Sequence, residues 1–245
     1  MRRYRAMIVV PCYNEAERLP VQIFSVYAAA HPDICFCFVD DGSTDATQSI
    51  LVHLCATGSN LRWMALPSNQ GKAAAVRAGM RTCSEEAEFL GFWDADLSTP
   101  LAEIERFLAV FKERPEKKMV IGARWAHIGV SIRRRAFRHG VGRMIATFID
   151  SYLKLSIYDT QCGAKIFRND TARILFDDPF VSRWLFDVEL FRRLISREGL
   201  TAVDRMVVEL PLDVWIDVPG SKLTCFSVFR IIYEMIRIRF HYKVQ

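Results

Sequence analysis

The sequence predicts an α/β fold in which helices flank a mostly parallel, Rossmann-like sheet. Two observations support this prediction, and the composition indicates the number of domains. Apolar runs alternate with helical patterns over the first half of the 245-residue chain, and polar, turn-forming clusters follow the runs. In addition, 51% of the residues are hydrophobic and 25% are charged, which suits one large globular domain or a domain with a modest appendage.

The predicted strands are short runs of apolar, β-branched or aromatic residues. They cover Ala6–Val10, Ile34–Val39, Leu61–Leu66, Phe89–Trp93 and Met119–Ile121. Helical patterns separate the first four strands and follow the fourth, at Glu15–Ala30, Asp45–Cys55, Lys72–Cys83 and Leu101–Lys112. Repeated βαβ units build parallel sheets, whose ligands bind beyond the carboxyl ends of the strands. The residues that follow each strand are therefore where a site is expected.

Adjacent acids follow the second strand, in "FVDDGSTDAT". One interpretation is structural, because Gly42 permits a tight turn and Ser43 or Thr44 can cap the next helix. The other is functional, because Asp40 and Asp41 at a strand end can accept hydrogen bonds from a base N–H and from ribose hydroxyls. Two adjacent acids are more than a cap needs.

The cluster "SNQGKAAA" follows the third strand and opens an alanine-rich helix. The N–H groups and dipole at the start of such a helix attract phosphate, and Lys72 adds a positive charge. The segment lacks the GxxxxGK[ST] pattern of a Walker A loop. Phosphate binding is therefore a hypothesis that needs support from the neighbouring clusters.

The cluster "FWDADLSTP" follows the fourth strand and carries two acids one residue apart. A turn with Ser98 or Thr99 as a helix cap would explain its end, but it requires neither Asp94 nor Asp96. A hard divalent cation suits closely spaced carboxylates, keeps some of its waters and binds substrate phosphates at the same time. These two acids are thus predicted metal ligands.

Charge and cysteine content limit the partners and the compartment. The net charge of +5 fits phosphorylated ligands or an anionic membrane surface and requires neither, and no nucleic-acid partner is expected. Seven cysteines without a CxxC pair favour a reducing compartment. The basic N-terminus is predicted to open a strand, not a signal peptide, and no run approaches the roughly 20 apolar residues of a membrane-spanning helix.

The four clusters together, "VVPCYNEAERL", "DDGSTD", "NQGKAAAVRAGM" and "DADLS", resemble the nucleotide-sugar half of a family 2 glycosyltransferase with the GT-A fold. The resemblance implies that Asp94 and Asp96 form a DxD motif, whose second acid holds Mg²⁺ or Mn²⁺ against the donor diphosphate. It also implies a set of residues that bind the nucleotide and the diphosphate. These are Pro11, Tyr13, Glu15, Asp40, Asp41 and Lys72.

The second half resembles the polyprenyl-phosphate branch of this family. The residues that carry the resemblance are "GAR" at 122–124, "SIRRRAFR", "DTQCGAKIF", "RWLFDVEL" and "VWIDVPGSKL". It implies that Asp159 orients the acceptor or acts as a base, and that Lys222 covers the donor diphosphate. Arginine side chains present planar forks that grip phosphate oxygens, although an arginine run alone also suits a solvated face. The candidates are Arg124, Arg133, Arg134, Arg135 and Arg138, of which Arg124 and Arg134 are the predicted acceptor ligands.

The function implied by the resemblance is inverting transfer of a hexose, glucose from UDP-glucose, to a polyprenyl or dolichyl phosphate. One alternative is transfer of mannose from GDP-mannose, and another is transfer to a soluble sugar acceptor. A third is a non-catalytic protein that binds nucleotide sugars, since Ser98 stands where mannosyltransferase relatives often carry a metal-binding Gln. The sequence predicts no oligomeric state.

The predicted domain organisation separates a catalytic domain from a terminal segment. Residues 1–222 are expected to form the GT-A domain, with 1–100 as the nucleotide-sugar half and 101–222 as the acceptor half. Residues 223–245 form an amphipathic segment in which large apolar side chains mix with Arg230, Arg237, Arg239 and Lys243. Such a composition predicts a helix in a membrane interface and peripheral association with the cytoplasmic face of a membrane.

Overall fold

The computed structural model of the protein describes residues 3–125, 131–133, 149, 152–155, 157–216 and 225–242, with the backbone alone for 131–133 and 225–230. The chain divides into two compact units, each built from two segments. Unit 1 contains Met1–Leu97 and Gly163–Pro179, and unit 2 contains Ser98–Cys162 and Phe180–Gln245. The functional halves at 1–100 and 101–222 and the separate segment 223–245 stay predictions.

Unit 1 alternates strands and helices as the sequence predicts. Its strands are β1 (Tyr4–Cys12), β2 (Ile34–Asp40), β3 (Leu61–Ala65), β4 (Ala87–Trp93) and, numbered in chain order over the whole protein, β7 (Ala164–Arg168). Its helices are α1 (Val21–Ala30), α2 (Thr47–Cys55), α3 (Lys72–Cys83) and α5 (Asn169–Leu175).

Unit 2 begins with α4 (Glu103–Glu113) and β5 (Met119–Ala123). Its other elements are β6 (Ser131–Arg133), α6 (Phe186–Glu198), α7 (Leu200–Met206), β8 (Val207–Pro211), β9 (Val214–Ile216) and α8 (Cys225–His241). Within this unit β5 pairs with β8 in parallel, and β6 pairs with β9 in parallel.

The strands of unit 1 lie in the order β3-β2-β1-β4-β7. The first four are parallel, and β7 runs antiparallel to β4. The mostly parallel α/β fold is therefore confirmed. Pairing between β1 and β4 ends at Val9 and Phe92, so Pro11, which has no N–H to donate, lies beyond that ladder and pairs only with β2.

Helices lie on both faces of the unit 1 strands. Phe24 of α1 makes an edge-to-face contact with Phe38 of β2, with ring centroids 5.0 Å apart. On the other face, a methyl group at Gly79 of α3 would lie 2.9 Å from Val39 Cγ2. Successive side chains of a strand point to opposite faces, so Phe38 packs against α1 and Val39 packs against α3. Glycine at position 79 lets α3 approach the strands closely.

The predicted first helix is too long at its N-terminus. The prediction was Glu15–Ala30, whereas α1 begins at Val21. Pro20 precedes the helix, and a proline disfavours helical backbone in the residue before it. The backbone N–H groups of Glu15 and Ala16 donate to side chains of the α2 region and not to helical carbonyls. The other strands and helices predicted up to residue 121 agree with the structure to within two residues at each end.

Two buried glutamates tie α8 to the rest of unit 2. Glu234 of α8 accepts hydrogen bonds from the backbone N–H groups of Trp184 and Leu185, both at 3.0 Å. Just beyond the helix, the Tyr242 hydroxyl donates to Glu189 of α6 at 2.8 Å. The helix therefore packs on the protein itself along one face.

The opposite face of α8 is apolar and exposed. The buried face contains Ile231, Met235 and Ile238. The exposed face contains Ile232, Tyr233, Ile236 and Phe240, with Phe240 71% exposed. Phe226 and Phe229, which the sequence places on the same side, lie where the structure describes the backbone alone. Over the described residues, no helix has both the length and the apolar content needed to cross a bilayer.

Asn60 offers a test of how unit 1 closes the turn between α1 and β2. Its side-chain nitrogen lies 2.9, 3.1 and 2.8 Å from the carbonyl oxygens of Ala28, His31 and Ile34. Asn60→Ala should lower the free energy of unfolding by about 2–3 kcal/mol, because it leaves these acceptors without their shared donor. Asn60→Asp should also destabilise the chain, because it keeps the shape and removes the N–H groups. A loss below about 0.5 kcal/mol in urea unfolding, the level of a surface change, would contradict this role.

Candidate functional site

The loops after β1 and β2 hold each other through side-chain hydrogen bonds. The Asn14 N–H donates to Ser43 Oγ at 3.0 Å, and Asn14 Oδ1 accepts from the Thr44 N–H at 2.9 Å. Asn14 has a φ of 53°, in the left-handed region that asparagine tolerates better than most residues. This bracing fixes the loop that carries Tyr13, which is 43% exposed, and Glu15 beside the end of β2.

The Glu15 carboxylate on this loop is only half satisfied by hydrogen bonds within the described residues. Its Oε1 pairs with Arg18 Nη2 at 2.8 Å, whereas its Oε2 is buried and has no hydrogen-bond partner among the described residues. Burial raises the pKa of the Glu15 carboxyl, Arg18 opposes the rise, and the negative charge of Asp96 adds to it. Glu15 therefore lies within electrostatic reach of Asp96.

Asp40 and Asp41 are both buried and hold the surrounding loops. Asp40 Oδ1 accepts the Ser43 N–H at 3.1 Å. The two oxygens of Asp41 accept the N–H groups of Gln70 and Gly71, each at 2.8 Å. The sequence suggests that phosphate binds at the start of α3. Two N–H groups there already donate to the Asp41 carboxylate. The structure adds a loop-bracing role for Asp41 to its predicted role in nucleotide binding.

The end of β4 brings Lys72 and Asp94 together. Lys72 Nζ, at the first residue of α3, lies 2.5 Å from Asp94 Oδ1. The Asp94 N–H donates to the Gly163 carbonyl at 3.1 Å. A methyl group at position 163 would lie 1.8 Å from Asp94 Oδ2, so only glycine leaves room for this carboxylate. Gly163 belongs to "DTQCGAKIF", but nothing in the sequence marks it as the residue opposite Asp94.

The two acids after β4 fit a divalent cation that the substrate helps to bind. Asp96 follows Asp94 in a turn, where Leu97 has a φ of 49° and donates its N–H to the Asp94 carbonyl at 3.3 Å. Within the described ranges, no group of three or more His, Cys, Asp or Glu could hold a metal ion. Mg²⁺ is commonly bound by one or two carboxylates plus substrate phosphates, and Asp94 and Asp96 are chemically suited to be those carboxylates.

Arg124 and Asp159 form a bidentate pair in unit 2. Arg124 follows β5, and its Nε and Nη2 lie 2.5 and 2.7 Å from Asp159 Oδ2 and Oδ1. The Arg124 N–H also donates to Oδ2 at 3.1 Å. Both carboxylate oxygens are occupied, which favours an orienting role for Asp159 over that of a base. Trp215 lies over the guanidinium, with 5.5 Å from Arg124 Cζ to the ring centroid.

Glu209 of β8 binds the backbone on the Asp159 side of this pair. The sequence did not identify Glu209 as a site residue. Its Oε1 and Oε2 accept the N–H groups of Asp159 and Tyr158 at 2.6 and 2.9 Å. Burial raises the pKa of the Glu209 carboxyl, the two N–H groups oppose the rise, and the charge of Asp159 adds to it. The predicted site residues Arg134 and Lys222 lie outside the described residues.

A sequence model described as glycosyl transferase family 2 matches residues 7–175, which include the loops after all four parallel strands. The chain belongs to this family. The enzyme class predicted from the motifs, a family 2 glycosyltransferase, is therefore confirmed. The match contains the Arg124–Asp159 pair and all the predicted donor residues except Lys222, but it assigns no role to any of them.

Curated relatives of this glycosyltransferase carry a shared description. A dolichyl-phosphate beta-glucosyltransferase of Drosophila melanogaster is 35% identical over 89% of this chain and 69% of its own length. The human protein of that description is 30% identical over 96% of this chain and 75% of its own length. A relative from Trichomonas vaginalis is 28% identical over 96% of this chain and 73% of its own length.

Solved structures agree in fold. Glucosyl-3-phosphoglycerate synthase from Mycobacterium tuberculosis, crystallised with Mn²⁺, UDP and glucosyl-3-phosphoglycerate, has a TM-score of 0.70 at 14% identity and covers 99% of this glycosyltransferase and 81% of its own chain. The same enzyme crystallised with Mg²⁺ and UDP has a TM-score of 0.68 at 13% identity. That match covers 99% of this glycosyltransferase and 80% of the solved chain. The predicted GT-A fold is thereby confirmed.

The raised pKa of Glu15 gives the unliganded glycosyltransferase a pH-dependent stability. Relative to the unfolded chain, folding penalises the charged carboxylate, so stability from protonated Glu15 is present below pH 4.5 and is lost as pH rises through the folded-state pKa. In urea unfolding over this range, wild type should lose stability relative to Glu15→Gln. Arg18→Gln should enlarge the loss, because Arg18 opposes the rise. Parallel pH curves for wild type and Glu15→Gln would contradict the assignment.

Proposed function

We propose that this glycosyltransferase moves glucose from UDP-glucose to a polyprenyl or dolichyl phosphate, with inversion, at the cytoplasmic face of a membrane. The observation that carries the proposal is the Lys72–Asp94 pair in its glycine cradle at the end of β4. The descriptions of the relatives support the choice of sugar and of acceptor, and the structures solved with UDP support the choice of nucleotide.

The donor is assigned to the loops of unit 1. The buried Oε2 of Glu15 lacks a partner among the described residues and suits a nucleoside N–H or hydroxyl donor. Asp40 and Tyr13 border the same loops and complete the nucleotide contacts in this proposal. Lys72 would exchange Asp94 for the donor diphosphate, where its charge stabilises the departing nucleotide.

Asp94 and Asp96 would hold Mg²⁺ or Mn²⁺, which supplies Lewis-acid stabilisation of the leaving diphosphate. With Asp94 neutralised in this way, Lys72 would be available to the donor. The cradle formed by Gly163 fixes the carboxylate in both situations. We assign Lys222 to the donor diphosphate from the resemblance alone.

The acceptor is assigned to Arg124 and Arg134 in unit 2. A phosphate monoester has a second pKa of about 6, so at neutral pH it is largely a dianion and needs little help from a base. Positioning then contributes most of the rate. Asp159 orients the Arg124 guanidinium, and Glu209 fixes the backbone that carries Asp159.

Membrane association is assigned to the exposed face of α8. Ile232, Tyr233, Ile236 and Phe240 form an apolar surface, and Arg237 and Arg239 are exposed on the same helix. An amphipathic helix of this composition lies in a bilayer interface, and each cation contributes roughly 1 kcal/mol near an anionic surface. The lipid tail of a polyprenyl phosphate stays in the bilayer, so the enzyme must come to it.

A panel assay tests the proposed function. The chain is incubated with Mg²⁺ or Mn²⁺, with UDP-glucose or GDP-mannose, and with a short polyprenyl phosphate or 3-phosphoglycerate, and products are identified by mass spectrometry. We expect glucosyl phosphoprenol from UDP-glucose. Mannosyl phosphoprenol would assign the mannose alternative, and a glucosylated phosphoglycerate would assign a soluble acceptor. Nucleotide-sugar binding without any product would indicate a non-catalytic protein.

Gly163→Ala tests whether that activity depends on the carboxylate at the end of β4. Displacement of Asp94 should reduce transfer about 100-fold, which corresponds to ~2.7 kcal/mol of transition-state stabilisation. Gly58→Ala is the matched control in unit 1, since its methyl group would come no closer than 3.3 Å to any neighbour. If Gly163→Ala does not fold by circular dichroism, Asp94→Asn makes the same test. A folded variant with near-normal turnover would contradict the assignment.

The α8 surface is tested without removing the helix, because truncation would also remove Glu234 and its contacts. Replacement of Ile232, Tyr233, Ile236 and Phe240 by Ser should lower binding to phosphatidylcholine–phosphatidylserine vesicles about tenfold or more. The control, Ile23→Ser with Val26→Ser, removes exposed apolar side chains from α1. Unchanged sedimentation with vesicles would contradict the membrane role. A dimer of the wild-type chain that the α8 variant dissociates would assign this face to a second copy instead.

A further inference from the structure

An exposed aromatic pair lies next to the Arg124–Asp159 ion pair. The rings of Trp125 and Tyr158 stack with centroids 5.6 Å apart and planes 17° apart. Trp125 is 51% exposed and Tyr158 is 39% exposed. Each aromatic residue directly adjoins one partner of the ion pair in the chain. The family motifs do not include this pair, and nothing in the predicted site uses it.

Hydrogen bonds fix the backbone beside both rings. Glu209 accepts the N–H groups of both Tyr158 and Asp159, which fixes the backbone under the tyrosine. Arg124 grips Asp159 through three hydrogen bonds, which fixes the backbone before the tryptophan. A rigid apolar surface loses little conformational entropy when a ligand binds.

Among the described residues, the two carboxylates next to the stack, Asp159 and Glu209, are already engaged. Both oxygens of Asp159 are bonded to Arg124, and both oxygens of Glu209 are bonded to backbone N–H groups. A sugar that stacks on an aromatic ring also needs hydrogen-bond partners at its hydroxyls, and leaving such groups unpaired is costly. A hydrocarbon chain needs only apolar surface. The chemistry around the stack therefore favours an apolar ligand over a sugar.

We propose that Trp125 and Tyr158 form a platform for the first isoprene units of the lipid acceptor. The inference rests on the proposed function, in which Arg124 serves the acceptor phosphate. In a polyprenyl phosphate the first isoprene unit is bonded directly to the phosphate oxygen. In this proposal, a phosphate held by Arg124 places the start of the apolar chain near Trp125, which follows Arg124 in the sequence. The platform would distinguish a prenyl phosphate from a small soluble phosphate.

Chain-length dependence of binding tests the platform. The dissociation constants of methyl, geranyl and farnesyl phosphate are measured by calorimetry for the full chain and its variants. Wild type should gain affinity from methyl to farnesyl phosphate. Trp125→Gln and Tyr158→Gln should each lose about tenfold in farnesyl phosphate affinity, equal to ~1.4 kcal/mol, and little for methyl phosphate. UDP-glucose affinity in the presence of Mg²⁺ should stay within about twofold, a change of under ~0.5 kcal/mol.

A conservative variant separates a prenyl platform from a sugar platform. Trp125→Leu keeps apolar surface and should retain most of the gain with chain length, whereas stacking of a sugar requires the ring. The matched control is Trp184→Gln, which removes another exposed tryptophan of unit 2 and should leave all affinities unchanged. If Trp125→Gln does not fold, Trp125→Leu and Tyr158→Gln still decide the question.

Specific results would overturn the inference. If the Gln variants keep the wild-type gain with chain length while wild type makes glucosyl phosphoprenol, the platform is wrong and the proposed function stands. A loss of UDP-glucose affinity with unchanged farnesyl phosphate affinity would assign the stack to the donor sugar and also overturn it. If wild type binds no farnesyl phosphate and makes no phosphoprenol product, both the platform and the proposed function fail.

Discussion

The arrangement of unit 1 depends on β1 lying between β2 and β4 with all three strands parallel. Because the strands run the same way, the loops after them emerge at one edge, and residues that are distant in the chain become neighbours. Because Cys12 pairs with Asp40, the loops after β1 and β2 begin side by side. Asn14, Ser43 and Thr44 then join those loops, and Asp41 joins the second loop to the start of α3.

Carboxylates hold separate segments of the chain together in both units. Asp41 in unit 1 and Glu209 and Glu234 in unit 2 each accept two backbone N–H groups from a separate segment. A charged acceptor makes stronger hydrogen bonds than a neutral one, and a loop that carries unsatisfied N–H groups gains most from it. Glu15 differs from these carboxylates, because one of its oxygens is buried without a partner among the described residues. In the proposed function, that difference separates a residue that braces a loop from one that binds the nucleotide.

The Lys72–Asp94 pair is the ion pair on which the proposed function depends. Lys72 neutralises a partly exposed carboxylate at the end of β4. In the proposed function, Asp94 would pair with a cation and Lys72 with the donor diphosphate. Gly163 leaves room for the carboxylate, because any side chain at that position would overlap it.

The sequence by itself determined the alternation of strands and helices, the four loops that carry polar residues, and the family. These features are local: strand and helix periodicity, turn residues and motif spacing are all written in short segments. The start of α1 was misjudged because hydrogen bonds from Glu15 and Ala16 to the α2 region compete with the helical pattern. Only the tertiary structure decided that Gly163 faces Asp94, that Glu209 holds Asp159, and that α8 buries one apolar face and exposes the other. Each of these contacts joins residues that are far apart in the chain, and pairing across such distances follows from packing, which no local pattern records.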